Sequence, residues 1–168
     1  MSYLEKSSEF NFPDAKRELG ILYTKGEDVK KDLPKALTLL EQAVELGDNN
    51  AYLHLAHLYD LGEEGIKKDA KRVVELLTAA HELFCASSTI ILAHKYMEGF
   101  GVEKDIKKAF ELLKVTYEAG DPNSAAVISR MYFEGKGVKK NESKAQQILD
   151  FAKTKDCIAY CTSYAKAK

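Results

Sequence analysis

The sequence predicts an all-α protein, an α/α superhelical solenoid of about four helix-turn-helix repeats wound into a right-handed superhelix. Three observations predict this fold: a period of about 36 residues, apolar side chains at helical spacing within each period, and fixed positions for helix-ending and helix-starting residues. A tyrosine marks the period at spacings of 36, 37 and 36 residues: Tyr23, Tyr59, Tyr96 and Tyr132. A fixed period of this length is typical of stacked helical hairpins.

The first segment of each repeat has the apolar stripe of an α-helix. We count offsets from the first stripe residue of each repeat, which is Ala51 in the second repeat. There the stripe falls at offsets 0, 4, 7, 8 and 11, which share one helical face: Ala51, Leu55, Leu58, Tyr59 and Gly62. The residue at offset 5 is small in every repeat, as the close approach of two helices requires: Gly20, Ala56, Ala93 and Ser129. The tyrosines at offset 8 are predicted to be mostly buried. A glycine that fits a left-handed cap ends each segment: Gly26, Gly62, Gly99 and Gly135.

A second helix is predicted in each repeat, after a short loop. Asp or Asn precedes it and is a strong N-cap: Asp32, Asp69, Asp105 and Asn141. We therefore expect helices to begin near Pro13, Pro34, Asn50, Asp69, Ser87, Asp105, Asp121, Asn141 and Asp156. The second helix of the second repeat lacks a terminal Gly, Asn or Asp and is predicted to run to about Cys85.

The predicted domain organisation is a single solenoid domain over residues 1–168. Its repeats are expected at residues 13–48, 49–85, 86–121 and 122–155, followed by a capping helix at 156–167. The tail continues the pattern, because Tyr164-Ala165 lies 36 residues after Ile128-Ser129. An unpaired terminal helix commonly caps a solenoid.

The combined pattern, Ala-x3-Leu-Gly-x2-Tyr-x2-Gly-x-Gly-Val-x2-Asp-x2-Lys-Ala, resembles the Sel-one-like repeat, a relative of the tetratricopeptide repeat. The third repeat has the loop nearest to that pattern, at residues 99–109. Asp28 replaces the second loop glycine in the first repeat, and Asn141 replaces the usual Asp in the fourth. The resemblance implies an adaptor or scaffold in protein complexes, and some bacterial members look like immunity or host-interaction proteins.

Composition indicates which partners to expect. A net charge of −1 gives no bulk attraction to nucleic acid or to an anionic membrane, and no apolar run is long enough to cross a bilayer. The three cysteines, Cys85, Cys157 and Cys161, recur at no repeat position, which disfavours the disulfide-stapled branch of the family and favours a reducing compartment. We therefore expect a cytoplasmic protein, a monomer or weak dimer, with neither nucleic acid nor membrane as partner.

No catalytic motif is present in the sequence, so we expect no enzyme activity and no cofactor. There is no Gly-Lys-Ser/Thr phosphate loop, no His-Glu-x-x-His and no Gly-x-Ser-x-Gly. His57 and His94 share one repeat position, but a zinc site needs further ligands and Asp60 is the only obvious one, so no metal is expected. A hydrolase or transferase that uses these two histidines is the enzymatic alternative.

The candidate binding site is the side of each first helix that faces away from the apolar stripe, at offsets 2, 6 and 9. The predicted partner-binding residues are Arg17, Ile21, Leu53, His57, Asp60, Ile90, His94, Met97, Arg130 and Phe133. They are expected to line a concave surface with an apolar middle and an arginine near each end, which is typical of protein-binding surfaces. The alternative is that tighter curvature or a dimer buries them.

The predicted function is a non-catalytic protein–protein interaction module, an adaptor or scaffold that binds a protein or peptide on its concave surface. A small cytosolic bacterial immunity protein that binds and inhibits a toxin or effector is the alternative. A basic edge before the N-caps is attributed to solubility: Lys30, Lys31, Lys67, Lys68, Lys104, Lys139 and Lys140.

Overall fold

The computed structural model describes residues 12–63, 65–83 and 85–154, and these contain eight helices and no strand. The helices are α1 (Pro13–Lys25), α2 (Leu33–Glu45), α3 (Ala51–Leu61), α4 (Ala70–Glu82), α5 (Ala86–Glu98), α6 (Ile106–Glu118), α7 (Pro122–Glu134) and α8 (Glu142–Thr154). Each begins within one residue of its predicted start, so the all-α prediction is confirmed. The predicted start at Asp156, the capping helix at 156–167, Cys157 and Cys161 lie outside the described residues.

The chain forms two compact units, Met1–Ser88 and Thr89–Lys168. Within the first unit, α1 packs on α2, α2 on α3, and α3 on α4. Within the second unit, α6 packs on α7 and α7 on α8. Helices α1, α3, α5 and α7 are the first helices of the four repeats, and α2, α4, α6 and α8 are the second helices.

Each second helix starts with the N-cap bond that the sequence predicts. The side chains of Asp32, Asp69, Asp105 and Asn141 each accept a hydrogen bond from the backbone N–H three residues later, at 2.9–3.0 Å. The backbone N–H of each of these Asp and Asn residues donates a second hydrogen bond, to the carbonyl oxygen of the tyrosine in the preceding helix, at 2.9–3.1 Å. We call this backbone bond the hairpin clamp. It is present in all four repeats, including the second, whose loop is one residue longer.

The predicted glycine caps are confirmed in all four repeats. The residue after each first helix adopts left-handed φ values between 64° and 76°: Gly26, Gly62, Gly99 and Gly135. Asp28 also has a positive φ of 61°, at the position where repeats 3 and 4 have Gly101 and Gly137. A non-glycine residue in this region is strained by about 1–2 kcal/mol, although Asp tolerates it better than most residues.

Helix α4 ends three residues before the predicted end at Cys85. Leu83 is its C-cap residue, and the N–H of Cys85 donates to the carbonyl oxygen of Ala80 at 3.1 Å. Asp48 and Asp121 close α2 and α6 with the same bond, to Ala43 and Thr116. The same bond closes the end of α4, but no glycine, asparagine or aspartate marks this end in the sequence. The sequence therefore did not predict it.

Small residues at offset 5 let the two helices of a hairpin approach closely. A Cβ atom on Gly20 would lie 2.9 Å from Cγ of Leu40 and 3.3 Å from the carbonyl oxygen of Ala36. In the fourth repeat, Ser129 uses the equivalent contact to donate a hydrogen bond to the carbonyl oxygen of Ala145 at 2.6 Å. The packing requirement inferred from the sequence is therefore confirmed at Gly20.

The residues of the tyrosine column are buried or mostly buried, as expected for Tyr59 and Tyr96. Tyr23 and Tyr96 are each 8% exposed. Tyr59 keeps a minor part of its surface exposed, and its hydroxyl lies 3.3 Å from the exposed carboxylate of Glu41. Tyr132 is exposed to a similarly minor extent, with its ring edge-on to Phe110 at a centroid distance of 5.7 Å.

Candidate functional site

The ten predicted binding residues lie on first helices, and none of them is buried. Five belong to the first unit, and we call them the N-terminal face: Arg17, Ile21, Leu53, His57 and Asp60. Five belong to the second unit, and we call them the C-terminal face: Ile90, His94, Met97, Arg130 and Phe133. His57, Arg130 and Phe133 are exposed, and the other seven are partly exposed.

The opposite side of the first helices forms the core. The residues at offsets 0, 4 and 5 are buried in every repeat: Ala15, Leu19, Gly20, Ala51, Leu55, Ala56, Ser88, Leu92, Ala93, Ser124, Ile128 and Ser129. Each first helix therefore has one buried side and one accessible side. This division fixes the helical phase on which the candidate site depends.

Three carboxylates of the first unit contact Arg17 on the N-terminal face. Its guanidinium contacts Asp48 at 2.5 Å, Glu18 at 2.8 Å and Asp14 at 3.0 Å, and its side chain is 15% exposed. Burial disfavours the charge of Arg17, but the bonds to Glu18, Asp48 and Asp14 outweigh it and raise the pKa. Arg17 is therefore engaged inside the first unit.

Asp48 joins Arg17 to the turn between α2 and α3. Its side chain is 3% exposed, and its Oδ1 accepts a hydrogen bond from the backbone N–H of Asn50 at 2.9 Å. A buried charge that loses its partner costs about 3–5 kcal/mol. The pair therefore has a structural role that the sequence prediction for Arg17 did not include.

His54 lies one turn before His57 in α3 and is partly buried. Burial lowers the pKa of its imidazole, and the nearby charge of Arg17 lowers it further. His54 is therefore held neutral near physiological pH. The sequence analysis placed His57 on the accessible side, and His57 is exposed in the structure.

Three charged side chains of α7 and its following loop interact on the C-terminal face. Nε of Arg130 donates to Glu134 at 2.8 Å, and the ammonium of Lys136 lies 2.7 Å from the same carboxylate. The bonds from Lys136 and Arg130 lower the pKa of Glu134. Sequence reasoning missed Glu134, although the four-residue spacing from Arg130 is the usual signal for a helical ion pair.

Phe133 is the large exposed aromatic residue of the C-terminal face. Its side chain is 47% exposed, and the ammonium of Lys140 lies 5.6 Å from the ring centroid. A cation over an aromatic face contributes about 0.5–1 kcal/mol at an exposed site. Lys140 was assigned to the basic edge from the sequence, and the structure brings it to the candidate site.

His94 has a buried nitrogen that lacks a protein partner. Its Nε2 is the single buried side-chain nitrogen or oxygen without a hydrogen bond in the described part of the chain. Burial lowers the pKa of His94; Glu98 acts to raise it, whereas Arg130 and Lys95 act to lower it. An unsatisfied buried polar atom costs about 1–3 kcal/mol.

The described residues contain no candidate metal centre. Among residues 12–63, 65–83 and 85–154, no three His, Cys, Asp or Glu side chains come together in a way that could hold a metal ion. His57 and His94 belong to different units.

Three lysines of the predicted basic edge form ion pairs: Lys31 with Glu63, Lys68 with Asp60 and Lys140 with Glu142.

Four helical hairpins with clamped loops and small-residue contacts define a repeat protein of the α-solenoid class. The chain belongs to the Sel1 repeat family, which matches residues 13–48, 49–81, 86–121 and 122–153. Sel1 repeat proteins generally mediate protein interactions, and their fold is generally non-catalytic. The resemblance found in the sequence is thereby confirmed.

Solved structures with the same fold include three bacterial proteins. A protective antigen of uropathogenic Escherichia coli strains, which displays an SLR fold, is 26% identical with a TM-score of 0.84, over 96% of this chain and 34% of its own. A Sel1 repeat protein from Oxalobacter formigenes is 24% identical with a TM-score of 0.83, over 95% of this chain and 65% of its own. Helicobacter pylori cysteine rich protein B is 23% identical with a TM-score of 0.59, over 74% of this chain and 93% of its own.

The chain therefore spans about a third of the length of the first relative and under two thirds of the second. No curated protein matches the sequence. Among the described helices, none combines the length and apolar character that a membrane span requires.

Proposed function

We propose that this chain is a non-catalytic interaction module, an adaptor or scaffold, which binds a protein or peptide through the accessible sides of its first helices. The observation that carries the proposal is the exposure of Phe133 beside Arg130 on a helix whose other side is buried. Aromatic and arginine side chains contribute most of the binding energy in many interfaces. An exposed pair of these two residue types therefore favours a role in binding.

The C-terminal face has the composition of an interface centre. Ile90 and Met97 on α5 are partly exposed, and they supply apolar area in the same unit as the aromatic ring and guanidinium of α7. Methionine is flexible and polarisable, so it adapts to varied partner shapes. The N-terminal face is the weaker candidate, because Arg17 is engaged by three carboxylates.

A differential capture experiment tests this proposal. The wild type, Phe133→Asp and the double variant Ile90→Asp with Phe133→Asp are immobilised, and proteins captured from the source organism are quantified by mass spectrometry. A partner of the C-terminal face should be retained by the wild type and lost from both variants, because the new carboxylates must be desolvated on binding.

Val115→Asp is the matched control, because Val115 is 56% exposed on α6 and lies outside both faces. It places the same charge on an exposed apolar site and should retain the partner. Circular dichroism and thermal melting of every variant verify the fold. If Phe133→Asp retains every protein that the wild type captures, the C-terminal face is not the binding site.

The identity of the captured protein separates the two functions that such a face could serve. A component of a larger complex supports an adaptor or scaffold, whereas a toxin or effector that loses activity on binding supports an immunity protein. We also propose a cytoplasmic location and a monomer or weak dimer. Cysteines that recur at no repeat position are consistent with a reducing compartment.

A further inference from the structure

Leu149 on α8 is more exposed than the leucine at the same position of the other three second helices. Those leucines follow the N-cap by eight residues and are only 0–1% exposed: Leu40, Leu77 and Leu113. Leu149 is partly exposed. Helix α8 packs on α7 within its own hairpin, as α2 packs on α1. The hairpin itself therefore does not account for the difference, and the cover that Leu149 needs must come from elsewhere.

The packing of α6 on α7 shows how a second helix is covered by the first helix that follows it. The hydroxyl oxygens of Thr116 and Ser124 lie 2.5 Å apart, and the ring of Phe110 lies edge-on to Tyr132 at 5.7 Å. These two contacts make the pair antiparallel. At 100° per residue, Leu113 lies midway between the two contacts on α6, and offset 4 lies midway between them on α7. A residue at offset 4 therefore faces the leucine of the preceding second helix.

The segment after α8 has the length and the repeat phase to cover Leu149 in this way. Fourteen residues follow Thr154, and they lie outside the described residues. A helix rises about 1.5 Å per residue, so this segment would span about 21 Å, as long as the 13-residue α8. Tyr164 lies 36 residues after Ile128 and so occupies offset 4, and the small residue Ala165 occupies offset 5.

We propose that the outer side of α8 binds the chain's own C-terminal segment, residues 157–168, as an antiparallel helix in which Tyr164 covers Leu149. Tyr160, at offset 0, is larger than the Ala or Ser of the described repeats, and its facing position on α8 is Ala152, where α6 has a threonine. The bound segment occupies the side of α8 on which a second copy of the chain would otherwise stack. This inference goes beyond the proposed function and does not depend on the C-terminal face.

Disulfide trapping in the full chain tests which residues face each other. The three native cysteines are first replaced by alanine: Cys85, Cys157 and Cys161. Leu149→Cys with Tyr164→Cys is then oxidised under mild conditions, and the products are separated on a non-reducing gel. A disulfide forms only between side chains whose Cβ atoms come close, so the pair should form a bond within one chain. Leu149→Cys with Lys166→Cys is the matched control, because offset 6 lies on the opposite side of the helix.

Hydrogen exchange of the unmodified chain tests the same contact without new cysteines. Backbone amides of residues 158–166, followed by mass spectrometry, should exchange at least about tenfold more slowly in the wild type than in Tyr164→Asp, because the helix is protected only while it is packed. Lys166→Asp introduces the same carboxylate on the accessible side of the segment and should keep the protection. Circular dichroism of each variant verifies that the described helices remain folded.

Each outcome decides the inference. A bond within one chain that is specific for Tyr164→Cys, together with amide protection that Tyr164→Asp removes, supports it. A bond between two chains would show that a second copy covers α8, and the inference is then wrong. It is also wrong if the wild-type segment exchanges as fast as in Tyr164→Asp, or if both cysteine pairs react equally. None of these results bears on what the C-terminal face captures, so the two proposals fail separately.

Discussion

The ammonium of Lys108 lies 4.5 Å from the centroid of the Tyr96 ring, and the same pairing recurs in two other repeats. Lys35 lies 4.2 Å from the ring centroid of Tyr23, and Lys144 lies 4.6 Å from that of Tyr132. Each lysine is the one in the Lys-Ala pair of the repeat pattern. The lysine therefore covers the tyrosine of the preceding helix, in addition to occupying the first turn of its own helix.

Lys108→Met should lower the free energy of unfolding by about 0.5–1 kcal/mol, because methionine keeps the apolar stem but loses the cation over the ring. Chemical denaturation of the full chain measures the change. Lys107→Met is the matched control, one position earlier in the same exposed turn, and should have a smaller effect. Equal losses in the two variants would show that the ring contact contributes nothing specific.

Tyr96→Ala should cost about 3–5 kcal/mol, as for other large-to-small aromatic changes in protein cores. The side chain is 8% exposed, so its removal leaves a cavity. Because repeats couple mainly to their neighbours, we also expect a broader unfolding transition. Phe133→Ala is the control, since that aromatic ring is largely exposed and its loss should cost much less. Thermal melting within a degree or two of the wild type would contradict the burial of Tyr96.

Arg17→Met should destabilise the protein by about 3 kcal/mol or more, because it leaves Asp48 buried without its cation. The double change Arg17→Met with Asp48→Asn should recover part of that loss, because no buried charge then remains unpaired. Urea denaturation of the two variants measures both effects. An additive loss in the double variant would show that the two side chains act independently. Any binding defect of an Arg17 variant must be separated from this loss of stability.

Acid should destabilise the fold through two partly buried histidines. The pKa values of His54 and His94 are lowered below the ordinary value of 6.5, chiefly by burial. As the pH falls through 6.5, the unfolded chain takes up protons before the folded chain does, so the free energy of unfolding decreases. Above this range both histidines are neutral in both states, and their contribution does not change.

Melting temperatures at about pH 7.5 and about pH 5.5 test this prediction. The wild type should melt at a lower temperature at the lower pH, and the double variant His54→Gln with His94→Gln should show a smaller decrease. His57→Gln is the control, because His57 is exposed in α3. An identical decrease in all three proteins would assign the pH dependence to other groups. Glu134 titrates below its ordinary value of 4.5, so it does not contribute in this window.

The fold could be predicted from the sequence because its determinants are local. The N-caps at Asp32 and Asp69, the glycine caps and the small residue at Gly20 each depend on a single position of the repeat. The end of α4 could not be predicted, because its closing bond from Cys85 to Ala80 needs no characteristic residue. The hydrogen bond from the hydroxyl of Tyr59 to Glu41 could not be predicted either, because Glu41 lies 18 residues earlier and outside the pattern.

The candidate site could be predicted only as a helical side, not as a set of contacts. Periodicity placed Arg17 and Arg130 on that side, and neither is buried. It could not show that Arg17 is bound to Asp48, 31 residues away, or that Lys140 reaches Phe133. Such pairings depend on how the loops and the neighbouring helices are placed against one another, and helical periodicity alone does not determine that.

The hairpin clamp holds the start of the next helix in the same place even when the loop before it is one residue longer. The clamp joins residues nine apart in three repeats and ten apart in the second, where Asp69 donates to Tyr59 and Ile66 remains 6% exposed. An added residue is thus accommodated between two fixed points, and the helices on either side keep their register. The tips of these loops are therefore natural places to graft a foreign epitope or a fluorescent-labelling peptide, whereas an insertion of the same size within a helix would rotate every later side chain out of phase.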